Sequence, residues 1–306
     1  MKVRMGEQSA GAGEISPQQG EGIAAVVVTY EPGPELIGNL KALRLQVERL
    51  IVVDNGSSAE RREIVGVAAD TMGIELIENG RNFGIAAALN RGVQRAMECG
   101  AEWVFLFDQD SRVTPGFVGA MLRAYRGSRW GERLKILTPQ YRDAETGAVL
   151  PAVRAKEGIA IAWTSGSLLR VETLREFGLF REELFIDEVD HEYSLRLRRA
   201  GMVLDETEDA TLLHALGSPA RHRLLGREFC VTNYSPVRRY YQERNKVWMA
   251  RHYGRSFPRF VLSRFRMSLS DVWKIVAFEE DKWRKLRHCA RGIVDGLRGR
   301  MGKLEL

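Results

Sequence analysis

The strand-like residues 103–107 and the acidic triplet after them place the strongest constraint on how this chain folds. Five consecutive apolar residues, Trp-Val-Phe-Leu-Phe, predict a strand that is buried on both faces, as in a parallel sheet. Asp108 and Asp110 follow at its carboxyl end, where open α/β sheets bind their ligands. Such carboxylates can hold a hard divalent cation and, through it, a diphosphate. The alternative is that they only cap the turn after the strand.

Strands and helices alternate along the first part of the chain. Strand patterns are found at residues 24–29, 50–53, 74–77 and 103–107. Apolar residues at helical spacing lie between them, at Leu36, Leu40 and Leu43 and again from Ile85 to Met97. This order predicts a doubly wound, mainly parallel α/β sheet. Farther along, weaker patterns predict helices near 117–125 and 189–200 and strands near 136–138, 159–163 and 167–170.

Composition divides the chain into three regions. Residues 1–22 are rich in Gly, Ser, Gln and Glu and predict a disordered leader. The alternating strands and helices belong to a main domain expected at 23–250, followed by a basic amphipathic helical extension at 251–306. From Arg255 onward there are 13 Lys and Arg against 6 Asp and Glu, although the whole chain carries only +6. The three cysteines show neither metal spacing nor a disulfide pattern, which favours a reducing cytoplasm.

Polar residues follow the first two strands. Thr29 and Tyr30 end the first strand, and Asp54 and Asn55 end the second. An Asp at such an edge can accept a hydrogen bond from a pyrimidine N–H, and Tyr30 can pack on the base. The alternative for Asn55-Gly56 is a simple tight turn. Neither the dinucleotide-binding glycine fingerprint nor the nucleoside-triphosphate loop motif is present, which argues against both of those classes.

Three later segments carry further candidates. The small residues after Asn82 at a helix start, Gly84 among them, allow a ligand to approach the backbone, or serve only as a cap and packing face. Asp187, Glu188 and Asp190 suit a helix dipole, or supply a general base. His214 is either a core residue or a functional one.

These motifs, in this order, resemble the family-2 inverting glycosyltransferases with a GT-A fold, and within them the rhamnosyltransferase-like branch. The matching segments span about residues 23–250 and read VVVTYEP, IVVDNGS, NFGIAAALNRG, FLFDQDS, TSGSLLR, LFIDEVDHEYSLRLRRAG, LHALG and YYQERNKVW. The resemblance implies a GT-A fold: a mixed, mainly parallel α/β sheet followed by a C-terminal helical extension.

The resemblance also implies roles for individual residues. The nucleotide-sugar would be bound by Thr29, Tyr30, Asp54, Asn82, Gly84, Asn90, Asp108 and Gln109. Mg²⁺ or Mn²⁺ would be held by Asp108, Asp110 and His214. Asp190 lies six residues before Arg196, the family's spacing for its catalytic base, with Asp187 and Glu188 as alternatives. The acceptor side would include Trp163, Asp187 and Glu188.

The implied reaction is inverting transfer of L-rhamnose from dTDP-β-L-rhamnose to a saccharide or lipid-linked acceptor, as in the synthesis of cell-surface polysaccharides such as O-antigen. Rival interpretations are another dTDP- or UDP-sugar donor, such as UDP-galactofuranose, and a non-catalytic, basic-tailed binding protein. No nucleic-acid partner is expected.

The basic helical stripe from Leu269 to Leu297 is expected to contact an anionic membrane surface, the catalytic domain or a second subunit. The expected location is the cytoplasm, including the inner face of its membrane. Four basic residues are interpreted as ligand contacts or as a solvated helix face: Arg238, Arg239, Arg244 and Lys246.

Overall fold

The computed structural model describes residues 22–214, 220–224 and 227–305. The leader predicted at 1–22 lies outside the described residues except for Gly22, and residues 215–217, which follow His214, also lie outside them.

Strands and helices alternate in the observed order. The strands are β1 (Ile23–Thr29), β2 (Arg49–Asp54), β3 (Glu75–Glu78), β4 (Trp103–Asp108), β5 (Arg112–Val113), β6 (Leu134–Asp143), β7 (Val149–Leu150), β8 (Ser167–Arg170), β9 (Val203–His214), β10 (Ala220–Leu224) and β11 (Arg227–Val231). The helices are α1 (Glu35–Arg44), α2 (Ala59–Met72), α3 (Ile85–Glu98), α4 (Phe117–Arg126), α5 (Val171–Phe177), α6 (Val189–Arg199), α7 (Pro236–Tyr253), α8 (Pro258–Phe278) and α9 (Lys282–Arg298).

The main sheet, as described, is mixed: six of its nine strands run in one direction, and β5, β7 and β8 run in the other. Its strand order is β3-β2-β1-β4-β8-β6-β9-β5, and β7 pairs with β6 at the side. The four strands from β3 to β4 are parallel, whereas β8 runs antiparallel to β4 and β6. The predicted α/β class with a mainly parallel sheet is confirmed.

Strand β1 explains how the sheet is covered on both faces. Successive side chains point to opposite faces, so Ala24, Val26 and Val28 join one core layer with α3 and α6, and the alternate residues join another with α1 and α4. Each buried Val stabilises the fold by roughly 1.5–3 kcal/mol. Gly92 lets α3 lie directly on β1, since a Cβ there would be 2.2 Å from Val26 Cγ1.

Two of the predicted elements are wrong. Residues 159–163 do not form a strand: the N–H groups of Ile159, Ala160 and Ala162 go to Leu204 O, Val153 O and Ser194 Oγ, so no single neighbour builds a ladder. The apolar stripe from 269 to 297 is two helices, because the chain turns between α8 and α9, with Asp281 at φ 51°.

The three C-terminal helices share a buried polar interior. Ser235 caps α7 by accepting the Arg238 N–H at 3.2 Å, and α7 continues across residue 250, where the sequence suggests a domain boundary. Buried Glu279 accepts from Arg239 at 2.6 Å and from Lys285 at 2.8 Å, which joins α7 to α9. No helix in the described part of the chain is long and apolar enough to cross a membrane.

Candidate active site

The carboxyl ends of β1, β2 and β4 meet at one edge of the sheet and carry the polar residues of the candidate site. In the parallel register Thr29 lies opposite Asp54, and Val28 lies opposite Asp108. Residues that are far apart in sequence are thereby neighbours at the position where sheets of this kind bind ligands.

Asp54 is fully buried and closes the turn after β2. Its carboxylate accepts hydrogen bonds from Thr29 Oγ1 at 3.3 Å, from Ser57 Oγ at 2.5 Å, and from the N–H groups of Gly56 and Ser57 at 3.2 and 3.0 Å. These bonds fit the tight-turn interpretation of this segment. Binding of the nucleotide base by Asp54 and Thr29 stays a prediction.

Tyr30 and Gln109 face the cleft beside that turn. The Tyr30 N–H donates to Gln109 Oε1 at 2.8 Å, and Gln109 O accepts from Asn39 Nδ2 at 3.1 Å. These bonds tie the loop after β1 to the loop after β4. The Tyr30 side chain is 48% exposed, so its ring is free to pack on a flat ligand.

In the segment before α3, protein backbone lies against the position at which the sequence predicts a ligand. A Cβ on Gly84, at φ 92°, would lie 2.5 Å from Phe185 O, so this glycine admits the loop that contains Phe185. Asn82 Oδ1 accepts from Asn55 Nδ2 at 3.1 Å and from the Gly84 N–H at 2.8 Å. Lys303 Nζ donates to Asn82 O at 3.1 Å, which places the C-terminal segment beside this loop. The predicted ligand contacts of Gly84 and Asn82 are thus made to the protein itself.

Asn90 is directed into the interior and does not reach the cleft. It is buried, donates to Phe180 O and Glu182 Oε1 at 2.9 Å, and accepts from the Phe180 N–H at 2.9 Å. Its amide fastens α3 to residues 180–182, and its contact with the nucleotide stays a prediction.

The acidic triplet after β4 is electrostatically strained. Burial raises the pKa of Asp108 to about 7, and the carboxylates of Asp110 and Asp190 add to the shift. A divalent cation would relieve this repulsion, and Mg²⁺ is commonly held by one or two carboxylates together with substrate phosphates. Asp108 and Asp110 therefore fit a metal. The loop is held in place by Ser111, whose Oγ lies 2.6 Å from Ser165 Oγ.

His214 lies next to this loop but does not complete a three-residue metal cluster. Its Nδ1 is 3.5 Å from Ser111 Oγ, and its ring centroid is 6.1 Å from that of Trp163. Within residues 22–214, 220–224 and 227–305, no group of three His, Cys, Asp or Glu side chains is placed to hold a metal. The structure thus assembles the two aspartates and leaves the predicted third ligand beside them.

Asp190 begins α6 and points toward the same acidic cluster. Its Oδ1 accepts from the His191 N–H at 2.8 Å and pairs with His191 Nδ1 at 2.9 Å. Burial acts to raise the pKa of Asp190, but His191 and Arg264 outweigh it, so the pKa lies below its ordinary value. Burial likewise opposes charge on His191, yet Asp190 and Glu188 hold its pKa above the usual range. Asp190 is therefore ionised at neutral pH.

The carboxylates of the two alternative bases, Asp187 and Glu188, each form an ion pair with an arginine. Asp187 accepts from Arg238 Nε and Nη2, both at 3.2 Å. Glu188 is buried and forms an ion pair with Arg264 of α8. Asp190 forms no such arginine pair with any described residue, so it is the carboxylate of the three best placed to accept a proton.

A strained loop, residues 185–188, sets the position of α6. Phe185, Asp187 and Glu188 adopt φ values of 66°, 61° and 63°, which cost side chains other than glycine about 1–3 kcal/mol each. Asn245 of α7 holds the loop by donating to Leu184 O, Ile186 O and Asp187 O at 2.9, 2.8 and 3.0 Å. The adjacent Arg244 donates to Glu183 O and Leu184 O at 3.0 and 2.9 Å.

The sequence does not single out Asn245, and it suggests Arg244 only as a ligand contact or as part of a solvated helix face. Arg244, Arg239 and Lys246 are buried and paired within the protein, so neither a ligand contact nor a solvated helix face describes them. The segment YYQERNKVW matches the family, and this match is the signal that points to Arg244 and Asn245. Their hydrogen-bond partners are loop carbonyls some 60 residues earlier in the chain, which the sequence does not show.

Replacing Asn245 by alanine should release residues 185–188. Leaving buried carbonyls without a donor costs roughly 1–3 kcal/mol, so we expect a lower melting temperature and faster hydrogen exchange in this loop. Gln242→Ala, on the same helix but bonded to Arg239 instead, is the matched control. Equal exchange at residues 185–188 in both variants would contradict a positioning role for Asn245.

Trp163, which is predicted for the acceptor side, lines a cleft together with Tyr141 and His191. Its side chain is 38% exposed and its ring centroid lies 4.8 Å from that of Tyr141. Tyr141 in turn donates from its hydroxyl to Ser165 O at 2.8 Å. Burial raises the pKa of Tyr141, and the carboxylates of Asp108 and Asp190 add to the shift.

Comparison with known proteins identifies the class that this fold and site define. Residues 24–129 match the model of glycosyl transferase family 2. The chain is also 30% identical to a dTDP-rhamnosyl transferase of Shigella flexneri, over 92% of this chain and 97% of that protein. The chain therefore belongs to glycosyltransferase family 2, and it is a glycosyltransferase of the rhamnosyltransferase-like kind.

Two further similarities refine the comparison. A galactofuranosyltransferase of Mycobacterium tuberculosis is 28% identical over 75% of this chain and 82% of its own length. The structure of a Pyrobaculum calidifontis mannosyltransferase in complex with GDP-Man and Mn²⁺ superposes with a TM-score of 0.55, at 15% identity, over 93% of this chain and 89% of that one. The GT-A fold is confirmed by this likeness, which does not bear on the donor.

Proposed function

We propose that this glycosyltransferase is metal-dependent and inverting, and that it transfers L-rhamnose from dTDP-β-L-rhamnose to a saccharide or lipid-linked saccharide. The observation that carries the proposal is that the carboxylates of Asp110 and Asp190 act on Asp108, at the carboxyl edge of the sheet, and help to raise its pKa. The similarity to a dTDP-rhamnosyl transferase over nearly the whole chain supports rhamnose as the sugar.

In this reaction Asp190 accepts the proton of the acceptor hydroxyl as its oxygen attacks the anomeric carbon. Attack from the face opposite the leaving diphosphate converts a β-linked donor into an α-linked product. The bonds from His191 orient the Asp190 carboxylate and keep it ionised. Tyr30 packs on the base of the donor, and Gln109 fixes the backbone of Tyr30.

Asp108 and Asp110 would hold Mg²⁺ or Mn²⁺. A bound divalent cation supplies neutralisation of the negative charge that develops on the departing diphosphate. The two carboxylates keep the cleft acidic until a cation and a donor diphosphate bind.

A thermal-shift panel tests the donor. With Mn²⁺ and dTDP-β-L-rhamnose at about 100 times the dissociation constant, binding stabilises the protein by about 2.7 kcal/mol, which we expect to raise the melting temperature by on the order of 5 °C. UDP-galactofuranose and GDP-mannose should give smaller shifts, and slow hydrolysis of the preferred donor should be measurable. EDTA and Asp110→Ala are the controls for the metal.

Transfer of galactofuranose is the second candidate, because a galactofuranosyltransferase is also similar to most of the chain. A larger shift with UDP-galactofuranose than with dTDP-rhamnose would reject rhamnose and support this alternative.

We also propose that α8 and α9 contact an anionic membrane surface. Three exposed apolar side chains, Leu269, Trp283 and Leu297, are 73%, 84% and 61% exposed and lie among the basic residues of the C-terminal region. Exposed aromatic and aliphatic side chains beside Lys and Arg are typical of interfacial helices.

Flotation with vesicles tests this contact. The protein should float with phosphatidylglycerol vesicles, less so at high salt, and Trp283→Ser should weaken flotation severalfold. Val153→Ser, which changes a 71% exposed residue of the catalytic domain, is the control. A dimer that Trp283→Ser dissociates, with no vesicle binding, would assign the helices to a second subunit.

A further inference from the structure

A cleft of about 220 Å³ opens next to the candidate base, between residues 150–163 and helix α8. His191 and Tyr141 line it on the side of the catalytic residues, and Phe260 and Met267 line it from α8. The ion pair between Arg264 and buried Glu188 fastens α8 to the loop that precedes Asp190. Helix α8 thus completes a cavity next to the candidate base.

The lining of this cleft is unsuited to a ligand that is hydroxylated on every side. Most lining residues are apolar, including Ile159, Ile161 and Met267. Three hydroxyls line it, and each already donates within the protein: Tyr141 to Ser165 O at 2.8 Å, Ser263 to Phe260 O at 2.7 Å, and Thr138 to Asp205 O at 3.4 Å. Arg264 Nε is buried without a partner among the described residues, so it can serve one ligand oxygen. A ligand hydroxyl buried here without a partner would be penalised, whereas a buried methyl group would be favoured.

The size and shape of the cleft indicate one sugar residue. Pockets for drug-sized ligands measure roughly 300–1,000 Å³, so this cavity suits a smaller unit at the end of a longer molecule. Trp163 presents a partly exposed aromatic face in the wall, against which the apolar face of a sugar ring can lie.

We propose that this cleft binds the terminal sugar of the acceptor, and that this sugar carries a methyl group, either at C6 of a 6-deoxyhexose or in an N-acetyl substituent, packed against Ile161 and Met267. The proposal rests on the proposed glycosyl transfer and adds the acceptor class and the contribution of α8 to it. Met267 is then a specificity-determining residue in a region that the sequence assigns to a separate extension.

Ligand-observed NMR titration with matched sugars tests the acceptor class. Methyl α-L-rhamnoside and methyl α-L-mannoside differ only by a hydroxyl at C6, and the methyl glycosides of N-acetylglucosamine and glucose differ in the N-acetyl group. We expect at least one methyl-bearing sugar to bind about tenfold more tightly than its hydroxylated counterpart. Equal affinities within both pairs would overturn the proposal.

Two tryptophan variants of α8 test the location. Met267→Trp fills the cleft and should weaken binding of the preferred sugar at least tenfold. Leu269→Trp, two residues away and outside the cleft, should leave it unchanged. Equal affinity of the two variants for the preferred sugar would overturn the proposal. Tighter binding of octyl glucoside than of either methyl-bearing sugar would also overturn it, because that result assigns the cleft to a lipid chain.

Donor hydrolysis is measured separately in the same proteins and reports on the proposed function. Leu269→Trp should hydrolyse the donor at the wild-type rate. If the wild-type protein does not hydrolyse the donor, the proposed function is rejected. The titrations with sugars then still show which ligand binds in the cleft.

Discussion

Replacing Asp190 by asparagine should lower kcat for glycosyl transfer by about 10²–10⁴-fold, the range that a positioned general base contributes. Asparagine keeps an oxygen that can accept the His191 N–H, so the start of α6 should be retained. The amide cannot accept the acceptor's proton, and the loss should therefore appear in kcat. Donor affinity, measured by calorimetry with the nucleotide-sugar, should be unchanged because Asp190 acts on the acceptor.

Asp187→Asn is the matched comparison for this variant. Its carboxylate is engaged by Arg238, so its replacement should cost less than tenfold in kcat and act through loop position. If Asp187→Asn were the more damaging and Asp190→Asn retained most of its transfer activity, the base would have to be reassigned to the loop before α6. Melting temperatures of both variants distinguish lost chemistry from lost folding.

The sequence predicts the sheet well because local pattern determines it. Buried apolar runs such as residues 103–107 have few alternatives to a central parallel strand, and the carboxylates after them fall at the ligand-binding edge by topology alone. The segment 159–163 was predicted wrongly for the converse reason. Ile159 and Ala162 are buried, but Gly158 at φ 62° turns the chain and the hydrogen bonds of the segment go to three different partners.

The roles of polar residues are harder to predict, since a motif does not show where its side chains point. Asn90 and Gly84 belong to a segment that matches the family, yet one bonds to Phe180 and the other makes room for the Phe185 backbone. Arg244 is the converse case. It is a basic residue in a charged segment, yet it is buried and donates to the loop before Asp190. Both outcomes depend on contacts between residues 60–90 positions apart.

Replacing Asp108 by asparagine should abolish metal-dependent donor binding and, at the same time, stabilise the metal-free fold at pH 8. Burial raises the pKa of Asp108 to about 7 from an ordinary value of 3.8. Between these values the folded protein holds a proton that the unfolded chain has lost. Unfolding then releases protons, so this group makes the wild-type fold less stable as pH rises from about 4 to about 7.

The asparagine variant removes that penalty. Each pKa unit corresponds to about 1.36 kcal/mol, and because water reaches part of the carboxyl we expect a gain on the order of 2 kcal/mol at pH 8. The gain should shrink as pH falls through 7 and disappear near pH 4, as followed by thermal unfolding in EDTA. Asp110→Asn, whose carboxyl is exposed, should give a smaller rise.

Adding Mn²⁺ should reverse the order of stability. The wild-type protein gains stability because the cation binds the folded state, whereas Asp108→Asn, with one carboxylate fewer, should gain little. A variant less stable than wild type at pH 8 in EDTA would contradict the electrostatic account of the triplet. Stabilisation in EDTA combined with lost transfer would show that Asp108 is retained for its function at the expense of the fold.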